Sequence, residues 1–214
     1  VANAHTCTSL GFFTEQIAAR GLIAIGMTNA SPVVAPPGGN AAVIGTNPIA
    51  MTVPGDGAPL MHFDFSTSAV ALGKITMAKA AGTPIPLGWA VDANGVPTTD
   101  PEAALKGALV SAGGYKGWGF GLMVELLAAG MTGSVNSLDV KGLKLPDGAP
   151  HGLGQFYILM DPATYGDSFN DRFARVADAV ATQDCARIPG TNRTAMDVID
   201  VPDSLWARIL TLAT

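Results

Sequence analysis

The sequence predicts an α/β or α+β domain built on one sheet with flanking helices, and three observations carry that expectation. Short apolar runs bounded by Gly, Pro or Asn alternate with stretches in which apolar residues recur at i, i+3 and i+7. Apolar residues fill 48% of 214 positions and charged ones only 14%, which supplies a core and excludes an intrinsically disordered chain. No internal repeat divides the chain, whose length suits one large domain or two small ones.

The elements follow in order. Residues 8–20 read as a helix with Leu10, Phe13 and Ile17 on one face, Thr8 as cap and Gly21 beyond the end. The apolar run 22–27 reads as a buried strand. Residues 31–48, rich in Pro and Gly, form a long loop of the kind that carries function. Strands follow at 49–53 and 60–65 around a Pro-Gly-Asp-Gly turn at 54–57. Ser66 caps a helix over 67–81 that Gly82 ends. Residues 83–101 are loop, with a short apolar element at 87–91 and an Asp-Ala-Asn-Gly turn at 92–95. The clearest helix covers 118–129, with Leu122, Leu126 and Ala129 sharing a face. Residues 133–154 are polar, Gly-rich and exposed, and 155–160 is another central strand. Helices at 168–182, with Phe169, Phe173, Val176 and Val180 inward, and at 204–212 complete the chain.

Composition excludes several classes of function. A net charge of −5 without a Lys/Arg cluster argues against nucleic acid. Apolar stretches are broken well before the roughly 18–20 residues a membrane span needs. The first residues lack both a basic and an apolar segment, so they are no signal peptide, and the absence of Met places Val1 inside a longer reading frame or after a cleavage. Cys7 and Cys185 form no CxxC and read as two reduced thiols of a cytoplasmic protein, with a single disulfide between them as the alternative. So few charges point to apolar surface covered by a partner subunit.

Among groups able to carry chemistry, His5, His62 and His151 are the near-neutral acid/base candidates, and none has zinc-ligand spacing. His62, mid-strand, reads as a structural histidine, and His151 as surface or site in equal measure. Gly-Gly-Tyr-Lys-Gly at 113–117 opens a helix, where glycines admit a ligand, free N–H groups and the dipole favour an anion, and Lys116 adds a charge. A solvated turn explains the same residues equally well. There is no Walker A loop, no GxSxG elbow and no GxGxxG between strand and helix; Gly117-Trp118-Gly119 lacks that context. Residue by residue, the reading ends at a small-molecule site made from the 36–48 loop, 64–66 and Lys116.

Five segments in order resemble one family: Gly-Thr-Asn-Pro-Ile-Ala (45–50), Phe-Asp-Phe-Ser-Thr-Ser (63–68) with Gly-Lys-Ile (73–75), 89–101, 113–117, and 123–133. They are similar to the malate/L-lactate dehydrogenase family of NAD(P)-dependent oxidoreductases. That family includes ureidoglycolate and sulfolactate dehydrogenases and the Δ1-piperideine-2-carboxylate and Δ1-pyrroline-2-carboxylate reductases. The resemblance implies a mixed α/β, non-Rossmann nicotinamide-binding fold of the L-sulfolactate dehydrogenase-like type. It implies a homodimer, and makes 1–214 the cofactor-binding body of a protein whose N-terminal helical segment, with an Arg and a Ser-His pair, is absent.

Asn-Ala-His at 3–5 is similar to the motif whose histidine accepts the proton, which implies that role for His5. By the same resemblance Thr6, Cys7, Thr8, Ser9 and Leu10 line the cofactor, Thr46 contacts substrate, and Asp64, Phe65, Ser66, Leu72, Gly73 and Lys116 bind the cofactor. Arg193, in Ile-Pro-Gly-Thr-Asn-Arg, approaches it as well. Three positions depart from the pattern. Ala30 replaces a Ser near the cofactor, Gly152 an Asn that contacts substrate, and Lys74 stands where imino-acid reductases carry Asp. Lys74 shifts the expectation to a hydride transfer between NAD or NADP and a small 2-hydroxy or 2-keto acid such as malate or lactate. The alternatives are a cyclic imino acid reductase and, in another class, a non-catalytic truncated binding domain.

Overall fold

A computed structural model describes residues 1–141, 150–166, 168–191 and 198–213. Four antiparallel strands form the main sheet in the order β3-β2-β1-β6: β1 Ile23–Thr28, β2 Ile49–Val53, β3 Met61–Phe65 and β6 Gln155–Met160. A second sheet pairs β4 Ala90–Val91 with β5 Ala108–Leu109. The mixed α/β class with one main sheet and flanking helices is therefore present.

Alternation of side chains assigns the two faces of the main sheet. Small residues Ala24, Gly26 and Ala50 lie under helix α1, Leu10–Ala18. The fit is close: a Cβ on Gly26 would stand 3.0 Å from both Thr14 and Tyr157. The opposite face carries Ile25, Met27, Ile49 and Met51, and part of it packs on α4, Tyr115–Glu125, through Met27, Val124 and Ala128. A separate core of Val34, Ile44, Val70, Ile75, Ile85 and Leu109 joins the 31–48 loop to α2 Leu72–Ala81, α3 Pro101–Lys106 and the small sheet. Helices α5 Phe169–Ala181 and α6 Asp203–Leu212 follow β6.

Several expectations are corrected. Ser9, not Thr8, stands at the α1 N-cap and makes no side-chain bond there; Asp64 of β3 instead accepts from Gly11 N at 2.7 Å. Helix α2 begins at Leu72 rather than Thr67, because the 66–68 hydroxyls are engaged in loop contacts: Ser68 Oγ donates to the Val70 carbonyl at 2.8 Å. The 83–101 loop leads into α3, over residues to which the sequence reading assigns no element, and Asp100 caps it, its carboxylate accepting from Glu102 N. Leu122 and Leu126 are exposed while Val124, Ala128 and Ala129 are buried, and the helix runs on through a π turn, 126–130. The 133–154 stretch is not simply surface, since Ser137, Val140, His151 and Leu153 are buried. Helix α5 fully buries no residue: Phe169, Phe173 and Val180 are half-buried, and Val176, expected inward, is 58% exposed.

Candidate functional site

The strand register brings most of the expected site residues to one end of the main sheet. At that end β1 and β3 finish while β2 and β6 begin, so Ile49 faces Phe65, and Met27 lies between Ile49 and Phe156. Four connections therefore emerge together: 29–30, 46–48, 66–68 and 151–154. They are tied by side chains. Thr67 donates its N–H and hydroxyl to the Thr46 carbonyl at 2.9 and 3.1 Å. Asn47 accepts from Ala30 N at 3.2 Å and donates to the Gly121 carbonyl and to Glu125 Oε2, at 3.0 and 2.9 Å. Asn29 accepts from Gly154 N at 2.9 Å and donates to the Val135 carbonyl at 2.8 Å. Gly154 is required there, because a Cβ would fall 1.6 Å from the Ala128 carbonyl.

Glu125 is the buried anchor of this end. Its carboxylate accepts from Asn47 Nδ2 and from the N–H and hydroxyl of Ser137. These acceptances satisfy a group that would otherwise destabilise the interior strongly. Asn29, Asn47, Glu125 and Ser137 were not singled out from the sequence. One signal was available, since Glu125 is the only charge in the apolar run 118–140 before Asp139.

The expected residues divide between the two faces of β3. Asp64 turns toward α1, with Cys7, Thr8 and Ser9 at that helix's start around a cavity of about 500 Å³ that His62 also lines. Burial pushes the Cys7 thiol up, with the Asp64 charge adding to it, so Cys7 stays a neutral thiol at neutral pH. Thr52 Oγ1 lies 2.8 Å from His62 Nδ1, in accord with its expected structural role. Burial lowers the proton affinity of His62, and the Asp64 charge opposes that shift.

Phe65, Ser66 and Lys116 meet on the other face, where an apolar cavity of about 550 Å³ lies between the sheet and α4. Phe63, Phe65 and Phe120 form much of its wall. Ala112, which precedes Lys116, is held to the sheet end by its N–H bond to the Thr67 carbonyl, 2.9 Å. Helix α4 opens at Gly114 with no side-chain cap, so its first N–H groups and dipole are available to an anion beside Lys116. Leu72 and Gly73 are exposed at the start of α2 and line neither cavity. Arg193 lies outside the described residues.

His5 sits beyond the β6 side of the same end. Ala4 and Leu153 exchange N–H bonds of 2.8 Å, which places His5 beside His151. Among the described residues there is no group of three or more His, Cys, Asp or Glu able to hold a metal. No described helix is long and apolar enough to cross a membrane.

Comparison with known proteins identifies the family. The malate/L-lactate dehydrogenase family model matches residues 1–209. The (2R)-3-sulfolactate dehydrogenase (NADP(+)) of Chromohalobacter salexigens is 40% identical over 92% of this chain and 59% of its own length. The Δ1-pyrroline-2-carboxylate/Δ1-piperideine-2-carboxylate reductase of Pseudomonas aeruginosa is 39% identical over 92% of this chain and 62% of its own. The chain thus spans about three-fifths of these relatives. In structure it resembles the Δ1-piperideine-2-carboxylate reductase of Pseudomonas syringae, with a TM-score of 0.87 and 34% identity, covering 98% of this chain and 66% of that one. The sulfolactate dehydrogenase of Methanocaldococcus jannaschii is equally near in fold, at 0.87 and 30% identity over 99% of this chain and 64% of that one. With its sheet, its loop motifs and almost its whole length matched, this chain belongs to the malate/L-lactate dehydrogenase family.

Proposed function

We propose that this chain is the cofactor-binding body of an oxidoreductase that transfers hydride between NAD or NADP and a small 2-hydroxy acid or its 2-keto partner. One observation carries the reading: Thr46, 64–66, Lys116 and His5 all belong to segments tied to the same end of the main sheet. The residues fit a nicotinamide dinucleotide, which joins flat rings through a pyrophosphate. The phenylalanine-walled cavity suits a ring, while the Lys116 ammonium and the uncapped start of α4 suit phosphate. Cys7, Thr8, Ser9 and Asp64 supply a polar border on the other side of β3, whereas Leu10 is buried in the core.

When bound, the cofactor supplies the hydride chemistry. His5 takes the proton of the substrate 2-hydroxyl in the oxidative direction and returns it in the reductive one. Thr46 orients the substrate, and its carbonyl bond to Thr67 holds the loop that presents it. The sulfolactate relative, whose substrate is itself a 2-hydroxy acid, supports this class, as does Lys74 in place of the imino-acid reductases' Asp. A second reading, reduction of a cyclic imino acid, is favoured by the pyrroline-2-carboxylate reductases at 38–40% identity. Assembly as a homodimer accords with the apolar residues Leu205, Trp206, Ile209 and Leu210 of α6, which the described residues leave exposed.

The test is a panel of 2-keto acids, including 3-sulfopyruvate, and cyclic imines with NADH and NADPH, followed by nicotinamide absorbance. Turnover of a 2-keto acid is expected, with His5→Ala lowering kcat about 10²–10⁴-fold. Turnover of imines alone would transfer the assignment to the second reading. Cofactor binding without any turnover would leave a non-catalytic binding domain.

A further inference from the structure

His151 has no role in the chemistry above, yet it is the most buried of the three histidines, 5% exposed. Its ring lies face to face with that of His5, centroids 4.4 Å apart and planes 20° from parallel. The backbone beneath both rings is held from two directions. Residues 1–4 pair with 153–155, where Gln155 N donates to the Val1 carbonyl at 2.9 Å and Ala4 and Leu153 exchange bonds. On the far side Val135 N donates to the Gly152 carbonyl at 2.9 Å. Gly152 has φ of +63°, and a Cβ there would meet Val135 at 2.8 Å, so the turn after His151 has little freedom. His5 is exposed on its outer side, and among the described residues no hydrogen bond orients its ring. The stack is the contact that sets its direction.

We propose that His151 is a positioning residue: its buried ring is the platform that holds the His5 imidazole in the orientation from which it exchanges a proton with substrate. This inference rests on the reading of His5 as the proton acceptor. A platform works best when neutral, because two imidazolium rings in a stack repel. Burial, reinforced by the charge on His5, lowers the proton affinity of His151, which keeps it in that form. Among the described residues, the segments that pair with or bond to the two histidines (1–7, 132–137 and 152–155) carry as further titratable groups only the Val1 amino group and the Cys7 thiol. No acid on those segments is available to substitute for the stack in orienting His5.

Two measurements on the unaltered protein and three variants test the proposal. Ring-to-ring nuclear Overhauser contacts between His5 and His151 are expected, with the His5 ε1 proton displaced upfield by the stacked ring. His151→Phe keeps a ring and is expected to keep that displacement, with kcat within about threefold of the parent. His151→Leu keeps apolar volume without a ring; it is expected to lose the displacement and lower kcat about tenfold to a hundredfold at nearly constant KM. Absence of the ring contacts, an unmoved His5 resonance in His151→Leu, or equal loss in both variants would overturn the proposal. The ring contacts do not need the protein to be active, so they remain decisive even where His151→Leu fails to fold. His5→Gln separates the two claims: full turnover with the ring contacts present in the parent would remove His5 from the chemistry and leave the stack intact.

Discussion

Helices α4 and α5 relate pattern to packing in opposite ways. Helix α4 has a weak apolar periodicity, Tyr-Lys-Gly-Trp-Gly-Phe-Gly-Leu-Met-Val-Glu, yet buries Gly117, Gly121, Val124 and Glu125. Helix α5 segregates apolar from polar residues far more sharply and fully buries no residue. Periodicity locates the face that prefers contact, but burial requires something for that face to meet. In α4 the small residues do this work, because Gly121 lets the helix approach Ile44 and Thr67, where a Cβ would stand 2.7 Å from the Ile44 side chain. The candidate-site end of the sheet is thus built by close backbone approach and polar bonds, and the C-terminal helices by a conventional amphipathic pattern.

Substitutions can break or sharpen this contrast. Glu125→Ala leaves the Ser137 N–H and hydroxyl without their acceptor in the interior and takes one of two acceptors from the Asn47 amide, and is expected to cost about 2–4 kcal/mol, read as a lowered urea midpoint. A cost below 1 kcal/mol would mean that the network is ornamental and that packing alone holds this end.

A smaller effect concerns pH. Burial depresses the proton affinity of His62 in the folded chain, so the folded state binds fewer protons than the unfolded one as pH falls below the ordinary histidine value of about 6.5. The favourable contribution is complete above that pH and is lost on acidification. His62→Gln is expected to flatten the decline in stability between about pH 6.5 and 5, measured by urea unfolding at a series of pH values. An unchanged slope would show that His62 titrates alike in both states. The smallest effect is expected for Val176→Ala on the exposed side of α5, within about 0.5 kcal/mol. A loss comparable with that of Glu125→Ala would show that the α5 face is covered in solution.

The same contrast explains what was legible in the sequence. The bounds of β2 and β6 are legible to the residue, and those of β1, α5 and α6 to within one position, because apolar runs and Gly/Pro punctuation act locally. The start of α2 is misplaced in the sequence reading because Thr67 bonds across the fold to the Thr46 and Asn47 carbonyls, which local capping rules do not see, while the Ser66 and Ser68 hydroxyls bond within the loop. The inward face of α4 was misread for a related reason: leucines mark a face by hydrophobicity, whereas the sheet receives glycine, valine and alanine by size. At the site, Lys116 with its glycines was visible from the sequence alone. His151 is a candidate in the sequence too, but its burial is not legible there, because it depends on the pairing of 1–4 with 153–155, more than a hundred residues apart. Asp64, expected at the cofactor, also accepts from the α1 backbone, a long-range cap that no local spacing encodes.

The central claim is that this end of the sheet holds a nicotinamide dinucleotide by its phosphates at Lys116 and the start of α4. Calorimetric titration of NADPH and NADH into the protein and into Lys116→Ala tests it most directly. Binding by the parent is expected, with the dissociation constant raised about tenfold to a hundredfold in the variant, as for loss of one charge-assisted hydrogen bond. An unchanged dissociation constant would contradict the account.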